Sequence, residues 1–220
     1  MSREPQKRCD DPLTLLILTV LYFAAIYLPA VFSPFLFSSS LWIQVLVPSF
    51  FIYMLVKMRP VRLGLARFMT LGGIVFTILA VLTFYVIIAF IISPIWSCVF
   101  VRSASEYERT IETAMRDPFS FFVQVCVVAP IAEEIFFRGY LLPNVLERYG
   151  APAALVLSTA LFSILHFNLY QIASVALLGA ILGILFLRTG TVRYPILFHF
   201  LHNTISFLIL FHHVLNGAYT

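Results

Sequence analysis

Apolar residues run along this chain in long, nearly uninterrupted stretches, near 13–37, 41–57, 70–101, 118–146, 151–167, 171–187 and 195–215. A helix needs about 20 such residues to cross the roughly 30 Å hydrocarbon layer of a bilayer. The pattern therefore predicts an all-α, polytopic membrane bundle of about seven transmembrane helices. The runs do not alternate as barrel strands do, and open strands would strand their edge amides in lipid. Pro29, Pro34, Pro48, Pro94 and Pro130 fall inside or near the ends of spans, where proline kinks a helix that neighbours still support. The charged opening MSREPQKRCDDP could precede a signal peptide, but the apolar run behind it continues through Phe37, too long for one, and predicts an uncleaved helix. No repeat of fixed period and no low-complexity tract interrupts the pattern.

Composition agrees and narrows the function. Of 220 residues 61% are hydrophobic and 11% charged, with a mean hydropathy of +0.99, whereas soluble domains carry about 25% charged residues. A cytosolic enzyme and a nucleic-acid partner are excluded at this point; the partners expected are the lipid bilayer and something within it. Cys9, Cys98 and Cys126 are odd in number and far apart, so neither a disulfide framework nor a thiolate metal site is indicated.

Charge sets the expected orientation. With a cytoplasmic N-terminus, the inner segments hold ten basic residues, Arg3, Lys7, Arg8, Lys57, Arg59, Arg62, Arg67, Arg148, Arg188 and Arg193, against Arg102, Arg109 and Arg116 outside. That is a positive-inside bias. The mixed-charge segment 102–117 is expected to form a short amphipathic connector at the outer surface. Two units follow: 1–117, with three helices and this connector, and 118–215, with four helices.

One charged cluster stays in lipid. The stretch APIAEEIFFRGYLLP puts Glu133, Glu134 and Arg138 in the middle of the fourth span, where each ionised group costs roughly 2.5 to 3.5 kcal/mol on an insertion scale. Glu134 and Arg138 are i, i+4 with the acid first, the favourable order for a pair, while Glu133 points about 100° away. The economical assignment pairs Glu134 with Arg138 and leaves the Glu133 carboxylate for chemistry. The purely structural alternative is an interhelical polar clamp.

The fourth and fifth spans read as an antiparallel hairpin turning near Tyr149 and Gly150, so residues at equal height carry numbers summing to about 299. Glu133 should then face the level of His166, with Phe162 one turn earlier on the same face. The last span opens YPILFHFLHNTIS, where His199 and Asn203 share a face and His202 lies on an adjoining one. Such groups also serve as satisfied interfacial residues, packing or polar glue between helices. Taken together, a carboxylate, two histidines and an amide suit hydrolysis: Glu as general base on water, neutral donors for the tetrahedral intermediate. HExxH and GxSxG motifs are absent.

At these residues the chain resembles the CPBP family of intramembrane proteases, also called the CAAX protease and bacteriocin-processing or Abi family, which includes the type II CAAX prenyl endopeptidases. The family's EExxxR motif stands here as Glu133, Glu134 and Arg138, its FxxxH as Phe162 and His166, and its HxxxN as His199 and Asn203. The three occur in family order, and the likeness covers residues 118 to about 210. It implies an endopeptidase acting on a membrane-associated peptide, of which prenylated CAAX peptides are one case. Glu133 would activate water with help from His166, and His199 with Asn203 would serve the oxyanion hole or positioning. Glu133, His166 and His199 could alternatively ligate a divalent metal such as zinc. A chain this small with short loops is more like the prokaryotic members, which places it in a cell inner membrane. The competing functions are a non-catalytic scaffold or immunity protein of the same fold, and an ion-coupled transporter using the buried Glu and His as a relay.

One expectation conflicts with another. His199 lies about 6 Å along its helix from Pro195, whereas Glu133 lies about 21 Å from the start of the hairpin turn near 147, a disagreement of roughly 15 Å in level. Either the 143–150 end of the hairpin protrudes well into the cytoplasm, or the sixth span is strongly tilted and the 188–195 connector dips inward.

Overall fold

The computed structural model describes residues 10–32, 41–59, 61–98, 111–112, 114–164, 166 and 171–216. Among them every regular element is helical. α1 is Pro12–Phe32 and α2 Leu41–Met58. α3 runs over 71–97, as α-helical Leu71–Ile87, π-helical Ile88–Ile92 and a last turn Ser93–Ser97. α4, over 118–149, contains two π-helical segments, Val123–Val128 and Ile135–Leu141, on either side of Ala129–Glu134. α5 is 151–164, α6 Ile172–Thr189 and α7 Arg193–Leu215. Most of the expected outer connector, with Arg102 and Arg109, lies outside the described residues, as do Cys9 and the charged residues 1–9.

Among the described residues, four helices are long and apolar enough to cross a membrane: Leu71–Ile95, Pro118–Ile164, Ile172–Thr189 and Arg193–Leu215. The pattern predicts about seven. Part of the difference is Pro118–Ile164, whose 47 residues contain a break at Gly150, with φ 82° and ψ 173°. Those dihedrals belong to glycine, and Pro152 just beyond suits the first turn of a helix. α1, with 21 residues, and α2, with 18, are further apolar helices beside these four.

Local chemistry explains the ends that matter. Asp117 caps α4, accepting from the Ser120 N–H at 3.0 Å and bonding the Ser120 hydroxyl, with Pro118 at the first helical position. The Ser120 hydroxyl, and then its N–H, hold the Asp117 carboxyl below its ordinary value. α6 stops at Gly190, φ 65°, in the left-handed region.

The hairpin of α4 and α5 stacks as an antiparallel pair, with the Phe137 and Phe162 rings 5.2 Å apart and edge-on. An aromatic column continues from it, Phe136 stacked on Tyr22 of α1 at 4.1 Å and Tyr22 tilted against Phe51 of α2 at 5.4 Å. These rings are the core; large apolar side chains such as Leu71, Phe90 and Phe119 point outward, as a lipid-facing surface requires.

The residues expected on the inner side share one end of the bundle. Arg62 pairs with Glu147, Arg59 with Asp10 at 2.9 Å, Arg67 donates to Thr189 O and Arg193 to Leu65 O. Asp10 also accepts from the Tyr140 hydroxyl at 2.6 Å and bonds Asn144 through its own N–H. The connector between α6 and α7 docks low on this end: Val192 N–H donates to Leu63 O, and Arg62 N–H donates to Gly139 O at 2.6 Å. Residues 140–149 of α4 therefore extend about 15 Å past the level of that connector. That offset accounts for the difference in level, and both a projecting hairpin and an inward-dipping connector give it.

Candidate active site

The middle of α4 lies between α5, α6 and α7, and each of the three contacts its charges. Glu134 and Arg138 are fully buried and joined at 3.0 Å between Arg138 Nη1 and Glu134 Oε1. Arg138 Nη2 donates to Gly179 O of α6 at 2.9 Å, and the guanidinium lies 4.5 Å over the Phe162 ring of α5. A side chain at Gly179 would meet Phe162 at 3.1 Å and Arg138 Nη2 at 3.6 Å, so glycine is what lets α6 bring its carbonyl to the guanidinium. Phe162 thus fills the space between cation and helices, a role in packing and cation–π contact.

His199 of α7 completes the cluster. Its Nδ1 lies 3.0 Å from the same Glu134 Oε1, and its Nε2 4.0 Å from Glu133 Oε2. A carboxylate only accepts, so Nδ1 carries a proton and the Nε2 edge faces Glu133. Glu133 differs from its neighbour in exposure: its side chain is 21% exposed and that of Glu134 is fully buried. Oε2 of each carboxylate is a buried atom with no hydrogen-bond partner among the described residues. The Phe162 ring lies beside both histidines, 4.9 Å from His166 and 5.8 Å from His199. His166 Nδ1 sits 2.8 Å from Phe162 O; a carbonyl also only accepts, which again leaves the Nε2 edge for other partners.

The structure thus brings Glu133, Glu134, Arg138, Phe162 and His199 into one contact group, with His166 on the shared ring. Glu133 Oε2 makes no hydrogen bond to His166. Asn203 faces a different atom, donating from Nδ2 to Val125 O of α4 at 2.7 Å. Sequence reasoning pairs Glu134 with Arg138 alone and misses its bond to His199. It also leaves His202 without a place; that ring packs edge-on to Phe84 at 5.0 Å, and its carbonyl accepts from the Tyr85 hydroxyl at 2.8 Å, tying α7 to α3.

Among the described residues no three His, Cys, Asp or Glu side chains converge as a metal site; the bond from His199 Nδ1 to Glu134 leaves Nε2 open, as it would be in a metal-ligating histidine. A base and a held imidazole fit water activation directly.

Residues 115–205 match the family model described as type II CAAX prenyl endopeptidase Rce1-like. The match spans all three motifs. No curated protein and no solved structure matches the chain.

Proposed function

Because residues 115–205 belong to the type II CAAX prenyl endopeptidase Rce1-like family, we propose that this integral membrane protein is an endopeptidase in which Glu133 activates water to cleave a membrane-associated peptide. One observation carries the reading. Glu133 Oε2 is buried, unbonded, and 4.0 Å from the Nε2 of a histidine whose other nitrogen is held by Glu134. A carboxylate in that condition is poised to take a proton.

In the reaction, water at Glu133 gives a proton to Oε2 while its oxygen attacks the scissile carbonyl carbon. The carbonyl electrons move onto oxygen. A protonated His199, donating from Nε2, and the second Nδ2 hydrogen of Asn203 stabilise that oxyanion. Collapse breaks the C–N bond, and the amine leaves with the proton Glu133 received. His166 Nε2 accepts the water's other hydrogen and orients it. The mechanism needs no metal step.

The substrate we propose is a peptide held at the membrane, with prenylated CAAX termini as the first class to test. The gathering of Arg59, Arg62, Arg67, Arg148, Arg188 and Arg193 on segments assigned to the inner side supports a cytoplasmic N-terminus in a bundle of about seven crossings; the small chain and short loops are the ground for proposing a prokaryotic inner membrane. The family match does not favour the scaffold or transporter alternatives.

The test is proteoliposomes carrying wild type or Glu133→Gln, incubated with a fluorogenic farnesylated CAAX peptide and, in parallel, with a membrane proteome whose new N-termini are sequenced. Cleavage is expected from wild type alone, with both proteins equally folded. Identical products from both, or none from either in the peptide and the proteome, would overturn the reading.

A further inference from the structure

Two features of α4 meet at a single backbone atom. Between Val123 and Val128 the helix is π-helical, and the N–H of Ala129 bonds Gln124 O, five residues back. In that register the next N–H, that of residue 130, would fall to Val125 O. Residue 130 is proline, which has no N–H to give. Within a membrane bundle a carbonyl needs a donor from elsewhere, and Asn203 Nδ2 of α7 supplies it at 2.7 Å.

The bond fixes more than its own length. A carbonyl only accepts, so the Asn203 amide must turn its nitrogen to α4, keeping one Nδ2 hydrogen and Oδ1 for other partners. Helix carbonyls point toward the C-terminal end, here toward Glu133. The amide is therefore held on the Glu133 side of Val125. One turn along α7, His199 is fixed by Glu134, so two bonds set how α7 lies along α4.

We infer that Pro130 is a positioning residue of this site: by withholding an N–H from Val125 it assigns that carbonyl to Asn203 and fixes the direction of the Asn203 amide. The effect on turnover rests on the proposed reading of Asn203 as an oxyanion donor; the hydrogen bond does not. Pro130 and Gly179 thus divide their work, the first acting through Asn203 and the second through Arg138.

The experiment uses full-length protein in lipid nanodiscs, with ¹⁵N-labelled asparagine and the Asn203 side-chain signals assigned by their loss in Asn203→Ala. In wild type, one Asn203 amide hydrogen should exchange with solvent slowly, and in Pro130→Ala about tenfold or more faster. Alanine is the better helix former, so this variant should keep its helical circular dichroism and thermal midpoint. Wild-type Asn203 exchanging as fast as an exposed asparagine overturns the inference without any variant, and so does unchanged exchange in Pro130→Ala. A second arm measures cleavage of the farnesylated CAAX peptide. Pro130→Ala should lower kcat by about tenfold or more with KM within about twofold, and should have no further effect in an Asn203→Ala background. Equal losses in both backgrounds overturn the inference, because Pro130 would then act independently of Asn203. Faster exchange with unaltered kcat supports Pro130 as the holder of Asn203 and counts instead against the oxyanion role, so the two failures are separable.

Discussion

His199 bonds through Nδ1 to Glu134 at 3.0 Å, and the Glu134 oxygen it uses is the one that pairs with Arg138. Glu134 is therefore a bridge between two helices as well as a counter-ion within one. The neighbouring Glu133 keeps its buried oxygen unbonded. Two adjacent carboxylates in one helix thus differ: Glu134 is fully buried and holds both Arg138 and His199 through Oε1, whereas Glu133 is 21% exposed beside His199 Nε2.

Substitution should separate those conditions. Glu134→Gln or Arg138→Ala leaves the remaining charge of a fully buried pair uncompensated, and should cost about 3 to 5 kcal/mol with a matching fall in folded yield. Glu133→Gln breaks no bond of its Oε2 and should leave the thermal midpoint within a degree or two of wild type, about 0.5 kcal/mol. Thermal unfolding in detergent checks this. Equal destabilisation by all three changes would make the cluster a structural clamp.

Gly179→Ala probes the approach of α6. The added methyl would sit 3.1 Å from Phe162, whose ring is fully buried and braced by Phe137 and Arg138. With no room for Phe162 to shift, the change should cost about 1 to 3 kcal/mol. A thermal midpoint equal to wild type would show that the ring yields.

The cap of α4 should titrate. Ser120 lowers the Asp117 carboxyl, and a group whose folded value lies below its unfolded one stabilises above the unfolded value, about 3.9. That contribution is lost as pH falls through the lower folded value. Asp117→Ala should thus melt below wild type at neutral pH, and the gap should close in strong acid. A gap that persists unchanged at low pH would mean the carboxylate charge is not what caps the helix.

Several of these relationships are legible in the order of the amino acids alone. Apolar runs locate the helices within a few residues, since in lipid a backbone has few other ways to satisfy itself. Tyr149 and Gly150 mark the turn, and the height rule built on it sets Phe137 opposite Phe162, where the rings meet. The Glu134–Arg138 pair follows from i, i+4 spacing. The bond from His199 to Glu134 does not follow, because counting from Pro195 and from the turn assumes that the helix ends are level. Residues 140–149 of α4 project past the 190–192 connector, anchored by Asp10, Tyr140 and Asn144, and side-chain bonds of that range carry no periodic signal. Asn203 on Val125 is hidden for another reason. The π-helical register at Val123–Val128 shifts carbonyl partners by one residue, which a 3.6-residue count cannot show.

The central claim is that water, activated by Glu133, attacks the peptide directly. A single turnover in H₂¹⁸O, with enzyme in excess over the farnesylated CAAX peptide and both analysed by mass spectrometry, tests it. The account predicts one ¹⁸O in the new carboxylate of the product on the first turnover and none in the Glu133 side chain. Unlabelled first-turnover product, with ¹⁸O in Glu133 instead, would contradict it and make Glu133 a nucleophile that forms an acyl-enzyme.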